Sequence, residues 1–161
     1  MSEDTSPTGL LGLDYAGVHL LNGLQGNPWL DVVMLVVTLF GTAFMVVPLA
    51  CFALFYARAE QVVWRSAAVM SVVLILCDLG LKHLVDRKRP SVAVPNVKVL
   101  GPMLTSLSFP SGHTVTAFAL VGLLLFVNKR WALWFAPVAV AVGVSRVYLG
   151  VHFPSDVLAG A

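Results

Sequence analysis

Residues 131–149 read WALWFAPVAVAVGVSRVYL, a run that carries one charged side chain, Arg146, near its end. At a rise of about 1.5 Å per residue a helix of this length crosses the hydrocarbon layer of a bilayer, so the stretch predicts a transmembrane helix. Three further apolar runs, near residues 30–57, 62–81 and 109–127, read the same way. The first is longer than a span needs and contains Gly41 and Pro48, which predicts a tilt or kink there. The whole composition agrees. With 58% hydrophobic and 11% charged residues and a mean hydropathy of +0.89, the chain has too little polar surface to coat a soluble globule. The fold class expected is all-α, a polytopic transmembrane helical bundle whose site lies at the membrane surface.

The links 58–61 and 128–130 are short, so the four runs predict two antiparallel hairpins joined by a Pro-, Lys- and Arg-rich surface loop at 82–108. Following the chain back and forth through the bilayer places the ends at 82, 109 and 149 on one side. Trp29 falls at that side and Trp64 and Trp131 at the other, as the preference of indole for the headgroup layer requires. Residues 1–28 lack a signal-peptide pattern. Leu10, Leu13, Gly17, Leu20, Leu21 and Leu24 keep helical spacing, with Asp14, Asn22 and Gln25 elsewhere on the wheel, so 1–28 is expected to be an interfacial segment and 29–161 the membrane domain. Ten basic and eight acidic residues give a net charge of +2, too balanced to imply nucleic acid. The basic residues divide between the two ends of the spans and favour neither orientation. Cys51 and Cys77 sit in apolar runs without metal or disulfide spacing and read as small buried hydrophobes.

The residues that point to a chemistry fall in three strings on the shared side: KHLVDRKRP at 82–90, PSGH at 110–113 and SRVYLGVHFPSD at 145–156. Lys82 and Arg89 would lie about 10 Å apart along an unbroken helix, and both have the reach to converge on one phosphate. Arg89 precedes Pro90, which favours extended backbone and ends the helix near there. Arg87 and Lys88 read better as a juxtamembrane anchor than as site residues. Asp78, one turn before Lys82, is expected to pair with it. Pro110-Ser111-Gly112 makes a helix start with Ser111 as N-cap and unpaired N–H groups that suit an anion. Taken alone it is also an ordinary way to begin a helix, but His113 beside it is costly at a membrane helix end without a task. His152 and Asp156, spaced i,i+4, share a face if a helix begins at Pro154; the carboxylate can then fix one tautomer and leave the other nitrogen free to attack. Such spacing in isolation is more often a surface pair. Arg146 alone could be a snorkelling arginine and Ser145 a packing residue.

All eleven specified positions occur in order, and in this the chain resembles the phosphatidic acid phosphatase type 2 family, whose signature is Lys-x6-Arg-Pro, Pro-Ser-Gly-His and Ser-Arg-x5-His-x3-Asp. The resemblance covers about residues 30–161. It implies a membrane hydrolase in which His152 is the nucleophile and forms a phosphohistidine, Asp156 orients it, and His113 protonates the leaving oxygen. Lys82, Arg89, Arg146 and the Ser111-Gly112 backbone would bind the phosphoryl group, with no metal and no cofactor. The implied substrate is a membrane lipid phosphate or diphosphate (undecaprenyl diphosphate, phosphatidate or phosphatidylglycerol phosphate), met on the outer, periplasm-like side of the cell membrane. Two other classes stand beside this reading: vanadium-dependent haloperoxidases, which share the anion pocket by family resemblance but are usually soluble, and lipid-binding membrane proteins with a degenerate pocket, against which the presence of both histidines argues. Only residues 157–161 follow Asp156, far fewer than the ~20 a span needs, so the family's final membrane helix is expected to be truncated in the sequence given.

Overall fold

The computed structural model describes residues 9–56, 65, 69, 72 and 76–161. Among them the regular structure is helical: α1 (Leu10–Asn22), α2 (Pro28–Leu39), α3 (Ala43–Tyr56), a π-helical turn Leu76–Leu81 running into α4 (Lys82–Val85), α5 (Pro90–Ala93), α6 (Gly112–Val127), α7 (Lys129–Tyr148) and α8 (Pro154–Gly160). Most of the expected span 62–81, with Trp64, lies outside the described residues.

The expected kink in the first span is a break at Phe40–Thr42, across which α2 and α3 are bent by 53°. Gly41 sits in it for a steric reason. A Cβ there would lie 2.6 Å from Val142 Cγ1 and 2.9 Å from both Cβ and O of His113. The glycine thus lets the break press against α6 and α7. α2 starts from Asn27, whose side chain accepts the N–H groups of Trp29 and Leu30, with Pro28 at the first helical position.

α6 and α7 form the expected antiparallel hairpin around Asn128, which caps α7 by accepting from the Arg130 N–H at 2.9 Å. α2 packs along α7 and α3 along α6. Ala117, Ala139 and Val142 are buried together beside Val37 and Phe118, the two alanines being the kind of small residue that lets membrane helices pack closely. Toward the other end Val46, Ala53, Leu120, Leu123, Leu124 and Ala132 form the larger cluster. α7 is long and apolar enough to cross a membrane by itself, and the bent pair α2–α3 counts as a second candidate span. The outer surface is apolar: Phe44, Phe55, Phe126, Leu133 and Trp134 are all exposed. Cys51 belongs to this outer face, contrary to the expectation that it is buried. The side chain of Cys77 lies outside the described residues.

α1 packs on α7 and α8. Its buried face carries Asp14, Val18 and Asn22, whereas Leu10, Leu11, Leu13 and Leu20 point outward. The polar stripe therefore meets protein instead of water. Asn22 Nδ2 donates to the carbonyls of Lys98 (2.8 Å) and Tyr148 (3.0 Å), and its Oδ1 accepts the Lys98 N–H at 2.9 Å. Gln25 adds a bond to the Tyr148 carbonyl at 2.6 Å. These bonds tie the long loop to the end of α7.

Candidate functional site

α7 delivers Arg146 in its last turn, and the chain then turns through Gly150, at φ 75°, to bring His152 back under the bundle. A side chain at Gly150 would collide with the Lys98 carbonyl, so both backbone angle and space call for glycine. α8 begins at Pro154, as the spacing predicts, and Asp156 falls in its first turn. His152 is 3% exposed and Asp156 fully buried. His152 Nδ1 stands 3.6 Å from Asp156 Oδ2, an electrostatic contact longer than a hydrogen bond.

Asp156 is held from several sides. Oδ2 accepts the Ser108 hydroxyl and the Phe153 N–H (2.8 Å), and Oδ1 accepts Arg87 Nη1 at 2.7 Å. Burial alone would raise its pKa, but the His152 imidazole, the Ser108 hydroxyl, the Phe153 N–H and the Arg87 charge outweigh it and hold the carboxyl below its ordinary value. It is ionised at neutral pH. His152 is pushed the other way, down to about 4, chiefly by burial and further by the positive charge of Arg89 and Arg146; Asp156 opposes this without reversing it.

Arg89 adopts the extended backbone expected before proline, φ −72° and ψ 156°. The helix carrying Lys82, however, stops earlier than expected. Asp86 takes a left-handed conformation at φ 45°, ending α4 at Val85, so Lys82 and Arg89 do not share an axis. The turn sends Arg89 inward, where all five of its donors are used. Nε donates to the Ser106 carbonyl (2.7 Å), Nη2 to Ser106 Oγ (2.9 Å) and the Leu107 carbonyl (3.2 Å), and Nη1 to the Val151 carbonyl (2.7 Å). Nη1 also lies 3.2 Å from His152 Nε2. Because a guanidinium only donates, that contact makes Nε2 the acceptor and puts the His152 proton on Nδ1, facing Asp156. The lone pair of Nε2 thus points into the cationic side of the site.

Arg146 is 5% exposed. Its Nη1 donates to Thr38 Oγ1 at 2.7 Å, and its buried Nε has no hydrogen-bond partner among the described residues. An orphan charged donor at such depth is costly unless an anion supplies the acceptor. Ser111 occupies the N-cap position of α6, but its hydroxyl makes no cap bond, contrary to expectation; it accepts from Thr114 Oγ1 instead, at 2.9 Å. The first-turn N–H groups of α6 are therefore left without a side-chain cap. A Cβ at Gly112 would meet open space, so this glycine keeps room beside those donors. The Ser111 N–H donates to the Asp156 carbonyl at 3.1 Å, joining the second string to the third. His113 is half-buried and within electrostatic reach of Arg146, His152 and Arg89. The Ser145 hydroxyl donates to the Val142 carbonyl of its own helix at 2.7 Å. Lys82 is half-buried at the start of α4. Asp78 is in the π-helical turn, and its side chain lies outside the described residues.

Two residues at the site escaped the sequence reading. Arg87 is no membrane anchor: it bridges Asp156 and the buried Asp14 and lies 4.0 Å over the Phe153 ring. Asp14, seventy-three positions earlier, also accepts the Ser155 N–H at 2.9 Å and the Ser155 hydroxyl at 2.6 Å. The one signal in the sequence was a carboxylate among the leucines of α1.

The family model described as the PAP2 superfamily matches residues 61–161. The chain is 28% identical over 150 residues to an undecaprenyl-diphosphatase of Sulfolobus acidocaldarius, covering 92% of this chain and 68% of that one. Its fold is similar to the crystal structure of Aquifex aeolicus LpxE, with a TM-score of 0.76 at 27% identity over 98% of this chain and 91% of the other. It is also similar to the transmembrane PAP2-type phosphatidylglycerolphosphate phosphatase of Bacillus subtilis, with a TM-score of 0.69 at 32% identity over 91% and 76% of the two chains. The apolar outer surface, the helical fold and these likenesses make it an integral-membrane lipid phosphatase, and the chain belongs to the PAP2 superfamily.

Proposed function

We propose that the chain hydrolyses a membrane lipid phosphate or diphosphate through a phosphohistidine on His152, without a metal. The observation that carries this is the forced tautomer of His152. The Arg89 contact leaves the Nε2 lone pair facing the cations while Nδ1–H faces an ionised Asp156. In the first step Nε2 attacks phosphorus and the bond from phosphorus to the leaving oxygen breaks; His113 gives that oxygen its proton. In the second step water attacks phosphorus while His113 takes its proton, the N–P bond breaks with its electron pair returning to Nε2, and phosphate leaves with His152 restored. The orphan Nε of Arg146, the first-turn N–H groups beside Gly112, and Lys82 stabilise the equatorial oxygens. For Arg89 to join them, a phosphoryl oxygen must take the place of one of its present acceptors. Asp78 is assigned the supporting role of neutralising Lys82.

The substrate class proposed is polyprenyl or glycerolipid phosphate, supported by the likeness to the undecaprenyl-diphosphatase and the phosphatidylglycerolphosphate phosphatase. We place the site on the outer face, with the leucines of α1 lying in the lipid at that surface. The apolar exterior favours a lipid substrate over the chemistry of soluble haloperoxidases. Purified protein should release phosphate from at least one of undecaprenyl diphosphate, phosphatidate and phosphatidylglycerol phosphate, with EDTA present and vanadate inhibiting. No release from any of the three, or loss of activity in EDTA that magnesium restores, would overturn the proposal.

A further inference from the structure

We propose that Asp14 and Arg87 form a positioning relay that fixes the Asp156 carboxylate, and through it the ring of His152; this rests on the reading of His152 as nucleophile given above. A carboxylate held by one oxygen alone can swing about its Cβ–Cγ bond. Oδ2 of Asp156, the oxygen facing His152, is held by Ser108 and by the Phe153 N–H. The remaining rotation is stopped at Oδ1, where Arg87 Nη1 donates at 2.7 Å. Arg87 is itself immobilised. Its Nη2 donates to Asp14, its Nη1 also bonds Ser155 Oγ at 2.6 Å, and its guanidinium carbon lies 4.0 Å from the centre of the Phe153 ring. Asp14 in turn is fixed by the backbone and side chain of Ser155.

The arrangement needs an arginine. Two carboxylates, 2% and 0% exposed, face one cation. A planar fork can give each a separate nitrogen, whereas an ammonium is a single point charge. Asp14 and Arg87 stand behind Asp156 and are bonded to neither Arg89, Arg146 nor His152, so they touch no group proposed to hold the phosphate. Their effect should therefore appear in the chemical step and not in capture of substrate. A residue that only stapled α1 to the bundle would change stability alone.

The test uses the full chain in detergent, with an aryl phosphate as the probe and rates normalised to folded, monodisperse enzyme. Arg87→Gln and Asp14→Asn should each lower kcat about tenfold, the scale for residues that orient a reacting group, with KM within about twofold. The double variant should be no slower than Arg87→Gln, because both act through one contact. Arg87→Lys should recover part of the loss. If Asp14→Asn does not fold, Ser155→Ala, which removes the hydroxyl bonded to both Asp14 and Arg87 and keeps both carboxylates, should still lower kcat about threefold at constant KM. Wild-type kcat with only a lowered Tm would overturn the relay, as would losses that multiply in the double variant. His152→Ala runs beside them. An inactive His152→Ala with wild-type kcat in the Asp14 and Arg87 variants would sink the relay alone, whereas an active His152→Ala would sink the nucleophile reading and the relay with it.

Discussion

At the residue scale the decisive property is the neutrality of His152, since an imidazolium has no lone pair to attack phosphorus. Burial drives its pKa to about 4, below the ordinary 6.5, with Arg89 and Arg146 adding to the effect. A folded pKa below the unfolded one means that the buried neutral ring contributes stability in full above about pH 6.5, and this is lost as pH falls through about 4. Histidine-labelled protein followed by ¹⁵N NMR should show His152 protonated on Nδ1 alone at pH 7 and titrating near pH 4. A midpoint near 6.5, or a proton on Nε2 at neutral pH, would contradict this. That His113, His152, Arg89 and Arg146 would meet was legible in the sequence, because an apolar chain keeps few ionisable groups without a use. Asp14 and Arg87 were not, since their meeting spans seventy-three residues and nothing local to either announces it.

The elements place these residues through close backbone approach. The break at Gly41 presses α2 and α3 onto His113 and Val142, leaving no room for a methyl group. Gly41→Ala should cost about 1–3 kcal/mol by overpacking and should also lower kcat, because His113 must move to make room. Gly122→Ala is the matched control. A Cβ at Gly122 meets nothing within 4 Å, so it should change stability by no more than about 0.5 kcal/mol. Equal Tm values for the two variants would show that the break does not pack as described. The kink itself was readable from Gly41 and Pro48 in an overlong run. The end of α4 at Asp86 was not, because the proline at 90 drew the expected boundary past a left-handed aspartate. α1 was read as a helix correctly, but hydropathy alone does not say that its polar stripe would turn toward protein. That followed only from the carbonyls of Lys98 and Tyr148, which need the donors of Asn22.

For the whole molecule, the antiparallel arrangement of α6 and α7 brings the second and third strings to one end of the bundle, and the long loop returns Arg89 to meet them. Counting apolar runs anticipated this without any chemistry, which is why the meeting of the strings was legible while the hydrogen bonds of Arg89 and Ser111 were not. The central claim is that phosphate passes through His152. The most direct measurement is a rapid quench of the purified enzyme with a ³²P-labelled lipid phosphate, followed by peptide mapping of label that survives base and is released by acid. The account predicts label on the peptide containing His152, and none in His152→Ala. Label on another residue, or full turnover by His152→Ala, would contradict it.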